Sequence, residues 1–143
     1  MQVFIVGTPL ETASALDPRR LNKQIVECQQ ILDALSGAKA WSNHPCTLQY
    51  KGHEEWLESY MECLKRYKDD DYGGAEEASA KCMTCFPIFH IQPYKEQMKR
   101  RLYTKDSWYY SRWAYLGTSE VNWYYVENEW RYYKNGKRVK ESI

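Results

Sequence analysis

Three charged residues early in the chain, Arg20, Lys23 and Glu27, stand at i, i+3 and i+7. In a helix this spacing projects all three from one side. Cations of this kind can contact phosphates and a carboxylate among them can move protons. The same pattern also describes a solvated helix face, on which a Lys23–Glu27 pair contributes roughly 0.3–0.5 kcal/mol. Two further groups combine reactive or binding residue types. Asn43 and His44 precede Pro45, as polar contacts or as caps of the next element. Arg131, Tyr132, Tyr133, Lys134 and Lys137 mix cations with aromatic faces, a combination that grips a phosphate backbone and stacks on exposed bases. A ribbon whose aromatics pack on the domain explains that run equally well.

The elements that must position these residues follow from periodicity and punctuation. Val3 to Val6 is a short apolar run ended by Gly7, Thr8 and Pro9, read as a brief strand or extended N-terminal arm. Asp17-Pro18 reads as an N-cap followed by proline at the first helical position. Leu21, Ile25, Cys28, Leu32 and Leu35 then repeat at three- and four-residue steps until Gly37. A polar break at Trp41–Pro45 precedes a second long helix over residues 53–68, with Trp56, Tyr60, Cys63, Leu64 and Tyr67 on one face. Asp69 to Gly74 reads as a loop, residues 75–82 as a short helix and Phe86-Pro87 as a break. Pro93 opens a basic helix through Leu102 that carries Lys95, Lys99, Arg100 and Arg101. Asn135-Gly136 predicts a tight hairpin between Trp130–Lys134 and Lys137–Lys140. The expected fold is therefore mainly α: a single compact domain over residues 1–143, with three to five helices, a short N-terminal extended arm and a small C-terminal β-hairpin.

Composition narrows the class. With 43% hydrophobic and 27% charged residues the chain has the balance of a soluble globular protein. Its 13 Tyr and 6 Trp against 3 Phe favour aromatics with a polar edge, suited to a tyrosine-rich core or to stacking surfaces. The net charge of +1 is unevenly spread: residues 1–60 carry five Lys/Arg against seven Asp/Glu, residues 101–143 eight against five. A local basic surface matters more to nucleic-acid binding than the total. The five cysteines are an odd number, and the start of the chain has neither a basic leader nor a long apolar run. Free thiols in a reducing cytoplasm are the expected state. Cys82-Met83-Thr84-Cys85 is a lone Cys-x-x-Cys pair. A metal-binding module would add Cys46, His44, His53 or His90, but their spacing is irregular and no second pair is present. No phosphate loop, nucleophile elbow or zinc-protease helix occurs.

The helix Arg20-Leu21-Asn22-Lys23-Gln24-Ile25-Val26-Glu27 after a short arm, followed by Asn43-His44-Pro45, resembles the pyrimidine-dimer DNA glycosylases of the phage endonuclease V type. Leu102-Tyr103-Thr104-Lys105-Asp106 and the run from Trp130 to Lys137 are similar to later segments of that family. The resemblance implies a protein that binds double-stranded DNA carrying a lesion or modified pyrimidine, with no metal and no cofactor. It implies that the N-terminal α-amine attacks C1′ of the damaged nucleotide to form a Schiff base. The helix glutamate, here Glu27, then assists ring opening and the β-elimination that cuts the strand. An α-amine has an ordinary pKa of about 7.7–8.0 against about 10.4 for lysine, so it is partly neutral at physiological pH. The second residue is the bulky Gln2, so Met1 is expected to be retained and to supply the amine. Lys23 is the other amine on the helix, but its pKa would have to fall by burial, which Glu27 one turn away opposes. Arg19, Arg20 and Lys23, with Asn43 and His44, would contact DNA around the lesion, and the C-terminal run would add Arg131, Tyr132, Tyr133, Lys134 and Lys137. A non-catalytic nucleic-acid binding protein on the same scaffold is the second reading, and the cysteine-based metal module the third.

Overall fold

In the computed structural model, residues 3–38, 40, 42–82, 92–117, 121–126 and 129–139 are described. They divide into two compact units, Met1–Phe86 and Pro87–Ile143. Seven helices occur among the described residues, with a three-stranded antiparallel sheet near the C-terminus.

The first unit begins with Val3, Phe4, Ile5 and Val6 in extended conformation, all buried. The expected arm is present, but it runs inside the core. The chain then turns into α1 (Pro9–Ala15), which the sequence reading passed over. Its signal is local: Thr8 and Glu11 form a reciprocal capping box, with Pro9 opening the first turn. Helix α2 (Pro18–Leu35) starts as expected, with the Asp17 side chain accepting from Arg20 N–H at 3.4 Å. Gly37 follows its end at φ 114°, a conformation an L side chain rarely adopts. Leu21, Gln24, Cys28, Ile31 and Leu32 form the buried face.

His44 caps the short α3 (Pro45–Leu48), its Nδ1 accepting from Cys46 N–H at 3.1 Å. Helix α4 (Glu54–Lys68) buries Trp56, Leu57, Tyr60, Met61, Cys63 and Leu64 and packs against α1, α2 and α5. Tyr50, Trp56 and Tyr60 stack in sequence at 5.9 and 5.3 Å between centroids, so part of the tyrosine excess is core. Helix α5 (Tyr72–Lys81) starts before the expected residue 75. Asp71 caps it through Gly74 N–H at 3.0 Å, and its carboxylate occupies the space a Cβ on residue 74 would need. Gly73 and Gly74 thus belong to a helix turn, not to a loop.

In the second unit, α6 (Gln92–Lys105) is longer than the Pro93–Leu102 helix expected. A 3-10 helix follows at Ser111–Leu116, in which Tyr110 and Trp113 stack at 5.3 Å and are buried. The sheet consists of β1 (Val121–Val126), β2 (Glu129–Lys134) and β3 (Lys137–Val139), in that spatial order. Asn135 and Gly136 have φ of 52° and 75°, the left-handed pair that a two-residue turn requires. The hairpin is therefore as expected, while β1 corrects the two-stranded count; Lys140 lies outside the described residues. An isolated hairpin is marginal in water, and β1 adds a third strand that packs against α6.

Candidate functional site

The side of α2 that carries Arg20, Lys23 and Glu27 is graded in exposure. At about 100° per residue, Glu27 and Arg20 flank the buried stripe, whereas Lys23 and Arg19 turn further outward. The Glu27 side chain is only 14% exposed and Lys23 is 73% exposed, with Lys23 Nζ 3.9 Å from Glu27 Oε1. Glu27 is thus not the fully solvated partner of a surface pair. Arg20 Nη1 lies 3.2 Å from Asp17 Oδ1, which ties the guanidinium back to the helix cap. Arg19 and Asn43 are exposed and His44 is half-buried at its cap.

One turn before Glu27 on α2, Gln24 meets the extended arm. Phe4 N–H donates to Gln24 Oε1 at 2.6 Å, and Tyr60 donates its hydroxyl to Phe4 O at 2.6 Å. Val6 N–H donates to Thr12 Oγ1 at 3.2 Å. All three side chains are buried. Among the described residues no strand pairs with this segment, and these three side chains satisfy the N–H and C=O of Phe4 and the N–H of Val6. From the sequence Tyr60 is read only as part of the apolar face of α4, and Gln24 and Thr12 are given no role. The legible signal was Gln24, a polar residue at a core position of the α2 stripe.

Two thiols complete this region. Burial pushes Cys46 up to about 11, and a hydrogen bond from the Val3 backbone and the Glu27 charge also act on it. Cys28 is raised by burial first, then by Cys46 and Glu27. The arm at Val3, both thiols and the Glu27 carboxylate therefore occupy one electrostatic neighbourhood. Met1 lies outside the described residues.

Cys82 is buried with its thiol 3.6 Å from Trp56 O, and Cys85 and His90 lie outside the described residues. Among the described residues no group of three or more His, Cys, Asp or Glu is arranged to hold a metal ion. None of their helices is long and apolar enough to cross a membrane.

In the second unit, strand register sorts the aromatic-basic run onto two faces. Trp123 pairs with Tyr132 and Tyr125 with Trp130, while Tyr124 pairs with Arg131 and Asn122 with Tyr133. On the first face Trp123 is buried, Tyr132 packs on it at 4.8 Å, and Trp130 meets Tyr94 of α6 edge-on at 5.5 Å. On the second face Tyr124 meets Tyr133 at 5.6 Å, and the Arg101 guanidinium stands 6.0 Å over the Tyr124 ring. Arg131 and Arg138 both bond Glu129 Oε1 at 2.8 Å. These arginines hold the Glu129 carboxyl below its ordinary value, Arg131 first. Lys134 and Lys137 flank the turn and are exposed. Gln97 clamps β1 from its open edge: Trp123 N–H donates to its Oε1 at 2.8 Å, and its amide donates to Trp123 O at 3.1 Å.

No curated protein and no solved structure matches the chain. A family match does exist, and it covers the arm, α1, α2, α3 and nearly all of α4. Leu102–Asp106 and Trp130–Lys137 lie beyond it. Residues 1–67 match the family model described as pyrimidine dimer DNA glycosylase, so the resemblance carried by the Arg20–Glu27 helix and Asn43-His44-Pro45 is borne out over that stretch.

Proposed function

We propose that the chain is a DNA glycosylase with abasic-site lyase activity toward ultraviolet-dimerised or otherwise modified pyrimidines. The Met1 α-amine attacks C1′ of the damaged nucleotide and the glycosidic bond breaks, with the base leaving. The sugar ring opens as the imine forms. Glu27 assists ring opening and the loss of a proton from C2′, after which the 3′ phosphate leaves and the strand is cut. Hydrolysis of the imine returns the amine.

The observation that carries this reading is the pinning of Phe4 by Gln24 of α2 and Tyr60 of α4, Gln24 standing three residues before the nearly buried Glu27 on the same helix. Only three residues separate Phe4 from the amine, so the clamp limits how far a nucleophile at Met1 can range; fixing reactants in this way is worth orders of magnitude in rate. The family match over residues 1–67 supports the same assignment. Arg19, Arg20 and Lys23, with Asn43 and His44, are assigned to the DNA near the lesion, and Arg131, Tyr132, Tyr133, Lys134 and Lys137 to its flanks.

A Glu27→Gln variant tests the chemistry. Strand cleavage of an abasic duplex is expected to fall by roughly 10²-fold or more, the range for a lost acid/base group. Cleavage at the wild-type rate removes Glu27 from the mechanism.

A further inference from the structure

Among the described residues, the most exposed large hydrophobic side chains lie outside every residue assigned above. Trp108 is 86% and Tyr115 75% exposed, and Tyr109 is also exposed. All three belong to the segment that runs from the end of α6 through the 3-10 helix. With three residues per turn, Arg112 and Tyr115 eclipse on the outward side, while Tyr110 and Trp113 eclipse inward and stack. Arg112 lies 4.4 Å over the Trp113 ring, and Lys99 Nζ stands 5.9 Å from the same ring. Residues 99–116 hold five cations, Lys99, Arg100, Arg101, Lys105 and Arg112, against one anion, Asp106. That anion is engaged, its Oδ1 accepting from Tyr109 N–H at 3.0 Å.

We infer that this segment is a stacking surface for single-stranded nucleic acid, with Trp108 and Tyr115 taking unpaired bases and Lys105 and Arg112 the phosphates between them. Bases within a duplex already stack on each other, so an exposed indole can be used only by a base outside the stack. Charge selects the occupant. A second copy of the same surface would set five cations against five, whereas a nucleic-acid backbone is the complementary partner. A lipid surface would also accept Trp and Tyr, but no exposed large aliphatic residue accompanies them here to enter the acyl region. This surface shares the nucleic-acid partner of the proposed function and is independent of the lyase step.

The test uses the full-length protein and an undamaged, fluorescein-labelled oligothymidylate of about 12 nucleotides, within the usual site size of such surfaces. Having no abasic site, the probe reports binding even if the lyase reading fails. Wild-type protein is expected to bind with an affinity that falls as salt rises from about 50 to about 200 mM. Trp108→Ala and Tyr115→Ala are each expected to weaken binding roughly tenfold, as loss of one stacking platform does. Arg112→Ala is expected to lower the salt slope by about one unit-charge contribution. Both aromatic rings are largely outside the core, so these variants retain the wild-type fold. No binding by the wild type, or unchanged affinity in both aromatic variants, overturns the inference. So does loss of anionic-vesicle binding, or of a sedimenting dimer, in the variants while oligonucleotide affinity stays constant.

Discussion

Residues Met1–Phe86 contain 9 Lys/Arg against 13 Asp/Glu, a formal charge of −4, whereas Pro87–Ile143 contain 11 against 6, a formal +5. The two values together give the near-neutral +1 of the whole chain. The acidic unit holds Glu27 and the clamped arm; the basic unit holds the stacked strands and the exposed aromatics of residues 108–115. A polyanion is drawn by the second unit and repelled on balance by the first, so the account separates grip from chemistry.

The units also differ in how they fix an extended segment, although each uses a buried glutamine on a helix. Gln97 satisfies both the N–H and the C=O of Trp123, because β2 already serves the other edge of β1. Gln24 takes the N–H of Phe4, and Tyr60 takes its carbonyl.

That contrast can be broken by matched substitutions. Gln24→Leu is expected to slow imine formation by up to roughly 10²-fold through misplacement of the amine, with about 1–3 kcal/mol lost in urea unfolding. Gln97→Leu strands two backbone groups and is expected to cost about 2–4 kcal/mol, with an unchanged imine rate in the folded protein. Equal kinetic effects from the two would end the distinction between a positioning clamp and a structural one. Tyr60→Phe is expected to cost about 1–2 kcal/mol and to slow imine formation less than Gln24→Leu.

The buried thiols sharpen the picture through pH. Burial raises Cys46 and Cys63 to about 11 from the ordinary 9.0, and Cys28 is raised as well. The folded state thus binds these protons more tightly than the unfolded state. Their contribution is complete below about pH 9 and is lost as pH rises toward 11. Unfolding free energies at rising pH are expected to decline across that window, and a Cys63→Ala variant to decline less. Smaller still, Lys134→Ala and Lys137→Ala are each expected to reduce the salt slope of DNA binding by about one unit-charge contribution. Lys23→Ala is expected to change stability by no more than about 0.5 kcal/mol, its side chain being 73% exposed.

Much of this was legible in the sequence. Asp17-Pro18, Gly37 and the apolar steps between them set α2, and Asn135-Gly136 set the β2–β3 turn. Helix α1 was also legible in the Thr8–Glu11 capping box with Pro9 at the first turn, although the apolar run before it carries a strand signal. The start of α5 was hidden because Gly73 and Gly74 read as loop residues until Asp71 is seen capping them. Strand β1 was obscured because Glu127-Asn128, the two residues between the paired Val126 and Glu129, are not one of the strong hairpin dipeptides. Spacing placed Glu27 on a polar side, but its 14% side-chain exposure is set by tertiary packing, which spacing does not carry. The register that turns Tyr132 toward Trp123 and Tyr133 toward Tyr124 likewise appears only once β1 is paired.

The central claim, an imine formed on the terminal amine, is tested most directly by borohydride trapping on an abasic-site duplex with an untagged N-terminus. The account predicts a covalent protein–DNA band that maps to the N-terminal peptide and disappears when the α-amine is acetylated. Intact DNA binding with no band, or a band mapping to Lys23, would contradict it.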